Sequence, residues 1–207
     1  MKELVKEVCV ESFQEALVVA ASGATRIELC DNLAVGGTTP SYGTIKKVIN
    51  ELTVPVMVMI RPRGGDFCYS PEEFDIMRDD LLICRELGVV GVVFGLLNPD
   101  QTIDIERTKE LVELARPMEV TFHKAIDDSI DILLSIKKLK NIGIDRVLTS
   151  GGKPTALEGC ETLLKMIEIA GDELNIIVAG KVTWENFEEI RQSIPSKEYH
   201  GRRLVEY

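Results

Sequence analysis

The chain alternates between two patterns of apolar residues. Short runs rich in valine and isoleucine recur along it, and between them apolar residues return at every third or fourth position. The first pattern predicts buried strands and the second predicts amphipathic helices. The predicted strands cover residues 5–10, 25–30, 54–60, 89–94, 118–122, 144–149 and 174–180.

The helical segments fill the gaps between these strands, and glycines stand near several of their ends. They cover residues 12–23, 42–52, 71–88, 105–116, 129–143, 156–171 and 183–194. Strict alternation of strands and helices along the chain is typical of an α/β protein with a parallel sheet. An eighth strand at residues 197–200 would close a (β/α)8 barrel. A doubly wound open sheet is the alternative, but its GxGxxG signature does not follow the first strand. We therefore predict one TIM-like barrel domain over residues 1–207, with a short or irregular C-terminal end.

Strand parity predicts where the polar strand residues point, because successive side chains face opposite sides of a strand. Glu7 and Cys9 share one face of the first strand, and Arg26, Glu28 and Cys30 share one face of the second. In a barrel the outward face packs against helices and is apolar, so these side chains should face the lumen. Carboxylates, an arginine and thiols in a lumen indicate a polar cavity.

The loops after strands two and three are rich in glycine and polar residues, and barrel enzymes carry their active sites on such loops. Their sequences are IELCDNLAVGGTTPSYG and IRPRGGDFCYS. Arg61 and Arg63 flank a proline there and could bind a carboxylate or a phosphate. Alternatively, they neutralise Glu7 and Glu28 in a structural network.

Two further features point to the same end of the barrel. His123 ends strand five, where it could act as a general base, as a metal ligand or as a buried hydrogen-bonded residue. Ser150, Gly151 and Gly152 follow strand six and could bind an anion through their backbone N–H groups. We expect Glu28, Arg61 and His123 to line one cavity.

The five cysteines include no CxxC pair, which argues against zinc-ribbon and thioredoxin-like sites. Cys9 and Cys30 lie on neighbouring strands with the same predicted parity. Two soft sulfurs at one depth fit Cu(I) better than a hard ion. The alternative is that they are small buried residues, as expected for Cys84 and Cys160 on helical segments.

Composition narrows the classes of partner. The chain carries 34 acidic and 24 basic side chains, for a net charge of −10, which argues against binding nucleic acid or anionic membranes. No apolar run approaches the roughly 20 residues that span a bilayer. The segment MKELVKEVCVESF contains acids where a signal peptide has an apolar run. Free thiols and this N-terminus lead us to expect a cytoplasmic protein.

Six segments together resemble the CutC family of copper homeostasis proteins. They are EVCVESF, GATRIELCDNLAVGGTTPSYG, MIRPRGGDFCYS, GVVFGLLNPDQTID, VTFHKAIDD and RVLTSGGKPTALEG. The resemblance covers about residues 3 to 186. It implies a TIM-like barrel, a cytoplasmic location, often a homo-oligomer, and a role in copper binding or copper tolerance. The Cu(I)-binding thiols proposed for the family correspond to Cys9 and Cys30.

Two functional hypotheses follow. The first is a cytoplasmic protein that binds Cu(I) through lumen-facing cysteines and buffers or delivers copper. The alternative is a barrel enzyme that acts on a small anionic metabolite, with Glu28 or His123 moving a proton. The anion would be held by Arg61, Arg63, Ser150, Gly151 and Gly152. A pure interaction scaffold is weaker than both, since a scaffold has no use for charges in a lumen.

Overall fold

A computed structural model describes residues 4–207 as a closed barrel of parallel strands. Each strand pairs with the next in sequence order, and the last pairs with the first. The (β/α)8 prediction is confirmed over this range. Residues 1–3 of the predicted domain, including part of the segment compared with a signal peptide, lie outside the described residues.

All eight strands lie within their predicted segments. They are β1 (Val5–Val10), β2 (Arg26–Leu29), β3 (Val56–Met59), β4 (Gly91–Phe94), β5 (Glu119–Phe122), β6 (Arg146–Thr149), β7 (Asn175–Val178) and β8 (Glu198–His200). The eighth strand is short, yet it pairs with both β7 and β1 and so closes the barrel.

The helices follow the predicted order, and serine side chains cap the first three. They are α1 (Phe13–Ala21), α2 (Tyr42–Glu51), α3 (Pro71–Leu87), α4 (Ile105–Ala115), α5 (Ile132–Asn141), α6 (Cys160–Ala170) and α7 (Phe187–Ser193). Two short 3-10 helices, Leu33–Val35 and Lys124–Asp128, were not predicted and lie after β2 and β5. Residues 201–207 form no helix, as expected for an irregular C-terminal end.

The two faces of the strands bury different kinds of residue. Outward-facing side chains such as Val8, Ile27 and Val58 belong to the large apolar core shared with the helices. The lumen holds two small apolar clusters. One is Cys30, Met57, Met59 and Val93, and the other is Leu148, Ile177 and Ala179. Charged side chains occupy much of the remaining lumen, in agreement with the parity argument.

Membrane spans were also sought among residues 4–207. Every helix in that range is too short or too polar to cross a bilayer.

Candidate functional site

A buried network of ion pairs crosses the lumen. Arg26 contacts Glu7 and, at 2.5 Å, Glu198. Arg146 lies 3.1 Å from the same Glu198 carboxylate and 2.8 Å from Glu119. Since buried charges need partners, each arginine is held between two carboxylates. The network joins β1, β2, β5, β6 and β8.

His200 connects this network to the mouth of the barrel. Its Nδ1 lies 2.8 Å from Glu7 Oε1, and its Nε2 lies 3.8 Å from Glu28 Oε2. Burial alone would raise the pKa of Glu7, but the charge of Arg26 and the hydrogen bond with His200 lower it to about 2. Glu7 is therefore ionised, and it orients the His200 ring so that Nε2 faces Glu28.

Cys9, Glu28 and His200 form a cluster of three metal-ligating residues. Their ligand atoms all lie within 4.8 Å of one another. Strand register explains the juxtaposition, because Cys9 pairs with Glu28 across β1 and β2, while Glu7 pairs with His200 across β1 and β8. Burial lowers the pKa of His200, but the charges of Glu28 and Cys9 outweigh burial and raise it well above its usual value.

Cys30 lies beside this cluster without belonging to it. Its thiol donates to Glu28 Oε2 at 3.5 Å, and it packs with Met57 and Met59 in the small lumen cluster. Burial, together with the negative charge of Glu28, raises the pKa of the Cys30 thiol well above its usual value. Cys9, by contrast, borders the mouth cavity.

A cavity of about 620 Å³ opens at the C-terminal end of the barrel. Glu28, Arg61 and His123 line it, as the parity argument predicted. Its other polar lining residues include Cys9, Ser150 and His200. His200 was not among the predicted site residues, because its position depends on the short strand that closes the barrel beside β1.

Arg61 does not neutralise Glu7 or Glu28. Its guanidinium donates to the carbonyls of Val35 and Gly37 at 2.9 Å and of Gly65 at 2.8 Å. It also lies 4.8 Å from the centre of the Phe67 ring. Arg61 is 4% exposed and fixes the loops after β2 and β3. Glu7 is paired with Arg26 instead.

Arg63 lies outside the cavity lining. It bonds to Glu73 at 2.6 Å, to Asp66 at 3.0 Å and to the Cys68 carbonyl at 2.9 Å. These contacts fold the loop that leads into α3. The guanidinium predicted to bind an anion is therefore committed to groups of its own loop and to Glu73 of α3.

His123 lines the cavity and is 5% exposed. Its Nδ1 accepts a hydrogen bond from the Ala125 N–H at 3.2 Å. Burial and the positive charge of Arg61 lower the pKa of His123 to about 3. The ring is therefore neutral near pH 7 and carries its proton on Nε2. Such a ring donates from Nε2 rather than acting as the general base considered from the sequence.

The backbone amides of Ser150 and Gly152 already hold an anionic group from within the chain. Asp127 accepts from the N–H groups of Ser150 at 3.0 Å and Gly152 at 2.9 Å, and from the Thr149 hydroxyl at 2.5 Å. The Gly151 N–H donates to Thr149 Oγ1 at 2.9 Å. The predicted anion loop is thus occupied by the Asp127 carboxylate, which the sequence analysis did not single out.

The fold and the site define a class of protein: a parallel (β/α)8 barrel whose mouth cavity carries a cysteine–glutamate–histidine cluster. Comparison with known proteins identifies the class further. The chain belongs to the CutC family, whose family model matches residues 4–204.

The relatives agree with this assignment. A protein of Mesorhizobium japonicum that is named as a family protein, CutC, is 44% identical to this chain. The alignment covers 96% of this chain and 77% of that protein. The human copper homeostasis protein cutC homolog is 41% identical over 94% of this chain and 71% of its own length. The crystal structure of the copper homeostasis protein CutC from Streptococcus agalactiae superposes with a TM-score of 0.92 at 36% identity. It covers 98% of this chain and all of that one.

Proposed function

We propose that the protein acts in copper homeostasis by binding Cu(I) through the Cys9 thiolate, with His200 as the second ligand. Support for the cellular role comes from relatives named copper homeostasis proteins. The observation that carries the site is the cluster of Cys9, Glu28 and His200 within 4.8 Å beside an open cavity. Thiolate sulfur and imidazole nitrogen both suit copper.

Glu7 supports this choice of ligand. A metal-binding histidine usually donates its other ring N–H to a carboxylate, which fixes the ring and strengthens the ligand. The contact of 2.8 Å between His200 Nδ1 and Glu7 supplies that arrangement, and the ion would displace the proton on Nε2 that the raised pKa of His200 favours.

Cys30 is the competing second ligand, since the sequence predicts a pair of thiolates at Cys9 and Cys30. A ligating thiol must lose its proton. The raised pKa of Cys30 and its hydrogen bond to Glu28 oppose that loss. The raised pKa of His200 likewise opposes loss of its Nε2 proton, so geometry decides between the two residues. His200 belongs to the cluster of ligand atoms within 4.8 Å, whereas Cys30 lies outside it. We therefore rank His200 above Cys30. We assign the activity to the cytoplasm, whose reducing conditions keep free thiols reduced.

Competition against a Cu(I) chelator tests the site. Replacing Cys9 by serine should abolish tight binding, because Cys9 is the one cysteine among residues 4–207 that lines the cavity. His200→Gln should weaken binding by about 100-fold and Glu7→Gln by about tenfold, as ligand and supporting residue respectively. Cys30→Ser should change the affinity by less than about threefold.

Cys84→Ser is the matched control, since Cys84 is a buried thiol on α3 away from the cluster. It should bind Cu(I) like the unmodified protein. Unchanged binding by Cys9→Ser would refute the site, and a loss with Cys30→Ser equal to that with Cys9→Ser would restore the two-thiolate hypothesis. The dissociation constants of Cu(I) and Zn(II) should also be compared in buffers that fix the free-ion concentration. A lower dissociation constant for Zn(II) than for Cu(I) would refute the copper assignment.

A further inference from the structure

The mouth cavity contains a buried positive charge without a counter-ion. Among residues 4–207, no carboxylate lies within ion-pair distance of Arg61, and its three bonded partners are neutral carbonyls. Its Nε is buried without a hydrogen-bond partner among these residues. An unpaired charge in a protein interior is costly, so such a group indicates that a negative partner binds beside it.

His123 supplies a second donor without a partner in the same cavity. Its Nε2 is buried and has no partner among the described residues. The Phe67 ring packs near both groups: its centre is 4.9 Å from the centre of the His123 ring and 4.8 Å from the Arg61 guanidinium carbon. Gly95 lets the imidazole sit there, since a Cβ at that position would come within 2.5 Å of His123 Nδ1.

We propose that this cavity binds a small organic monocarboxylate, whose carboxylate accepts hydrogen bonds from Arg61 and His123. Cys9 and His200 line the same cavity, but the carboxylate donors are different residues, so carboxylate binding does not require the Cu(I) ligands. Charge-assisted hydrogen bonds from a guanidinium are the usual means of carboxylate recognition. Among residues 4–207, Arg61 is the buried lining cation without an ion pair, whereas Lys153, which also lines the cavity without one, is exposed to solvent. One buried cation and one neutral donor match a single negative charge.

Other features of the cavity favour a carboxylate over a phosphate. The amides that could cradle a phosphate are occupied by Asp127, and the nearby Lys124 ammonium is paired with that same carboxylate at 2.6 Å. The lining also includes apolar side chains that suit a short carbon chain, namely Leu33, Met59, Phe67 and Leu148.

Thermal unfolding with matched additives tests the proposal. Straight-chain carboxylates from acetate to octanoate should raise the melting temperature at constant ionic strength, because they bind the folded state. The primary alcohols of the same chain lengths, and inorganic phosphate, should not. Equal shifts with carboxylate and alcohol would overturn the proposal, and so would a larger shift with phosphate.

Variants locate the site. His123→Phe keeps an aromatic ring but removes the donor, and it should weaken hexanoate binding by about tenfold. Arg61→Gln should weaken it at least as much. Arg63→Gln is the matched control and should leave the affinity within about twofold, since Arg63 lies outside the cavity lining. Equal affinities for His123→Phe and the unmodified protein would exclude His123 as a donor.

A spectroscopic measurement covers the case in which Arg61→Gln fails to fold. The chain has only 2 histidines, so the Nε2–H signal of His123 can be assigned in a ¹⁵N-histidine spectrum by its loss in His123→Phe. Hexanoate should move this proton signal downfield, and an unmoved signal at saturating hexanoate would overturn the proposal. Cys9→Ser should bind hexanoate normally, so failure of the copper site and failure of the carboxylate site are distinguishable.

Discussion

Asp127 organises one side of the cavity mouth through a single carboxylate. It accepts hydrogen bonds from two backbone amides and two hydroxyls of residues 149–152, and it pairs with Lys124. Burial would raise its pKa, but the charge of Lys124 and hydrogen bonds from Thr149 and Ser150 lower it. The ionised form is therefore the one that the native loop stabilises.

Replacing Asp127 by asparagine should lower the free energy of unfolding by about 2 kcal/mol at pH 7, because hydrogen bonds to a charged group are lost. A lowered folded-state pKa gives stability that is present above the ordinary aspartate value of 3.8 and is lost as the pH falls below it. The gap between the two proteins, measured by urea unfolding, should therefore narrow below about pH 4. Asp128→Asn is the control, and a gap that stays constant down to pH 3 would contradict the prediction.

At the scale of elements, the start of α6 packs closely against the loop after β6. A Cβ placed on Gly159, which precedes α6, would come within 1.9 Å of the Ser150 carbonyl oxygen. The loop that binds Asp127 and the helix can therefore meet only if residue 159 has no side chain. The helix begins at Cys160, directly after this glycine, whereas its apolar pattern predicts a start at residue 156.

Gly159→Ala should destabilise the protein by about 2–3 kcal/mol, because the added methyl group forces backbone to move. Gly43→Ala is the matched control: Gly43 lies within α2, and its nearest neighbour would be the Ser41 Oγ at 4.0 Å. That change should stabilise the protein by about 0.5–1 kcal/mol, since alanine restricts the unfolded chain. Thermal unfolding of both variants checks the prediction, and similar shifts for the two would contradict it.

The sequence predicts local periodicity well and long-range contact poorly. Strand segments and lumen-facing parity follow from alternation within a few residues, so Glu28, Arg61 and His123 could be assigned to one cavity. His200 could not be joined to Cys9, because their contact requires the pairing of the first and last strands. The role of Asp127 was missed for a similar reason: its partners lie in a loop that follows a different strand.

The sequence also could not predict which groups pair with the buried charges. Arg26, Arg61 and Arg63 all stand on predicted strands or loops near carboxylates, and parity gives no distances between them. Of these three, Arg26 pairs with Glu7, whereas Arg61 bonds to carbonyls and Arg63 to its own loop and to Glu73 of α3. Whether an arginine has a carboxylate partner depends on the position of its guanidinium group in the folded protein. That position is set by the packing of the whole barrel.

For the whole molecule, closure of the barrel depends on a strand of three residues, Glu198–His200. So short a strand contributes few backbone hydrogen bonds to the sheet. Its side chains add ion pairs and hydrogen bonds to other strands across the lumen. Glu198 accepts from Arg26 at 2.5 Å and from Arg146 at 3.1 Å, which links β8 to β2 and β6. His200 links the same strand to β1 through Glu7.

Glu198→Gln should therefore lower the free energy of unfolding by about 3 kcal/mol, because it removes one partner from a buried ion pair. Glu51→Gln breaks an exposed pair with Lys47 on α2 and should cost less than about 0.5 kcal/mol. Hydrogen exchange locates the effect. Amides of β8 and β1 should lose protection first in Glu198→Gln, while those of β3 and β4, which contribute no side chain to the ion-pair network, should keep theirs. A uniform loss of protection around the barrel, or a cost no greater than that of Glu51→Gln, would show that Glu198 does not hold the closing strand in place.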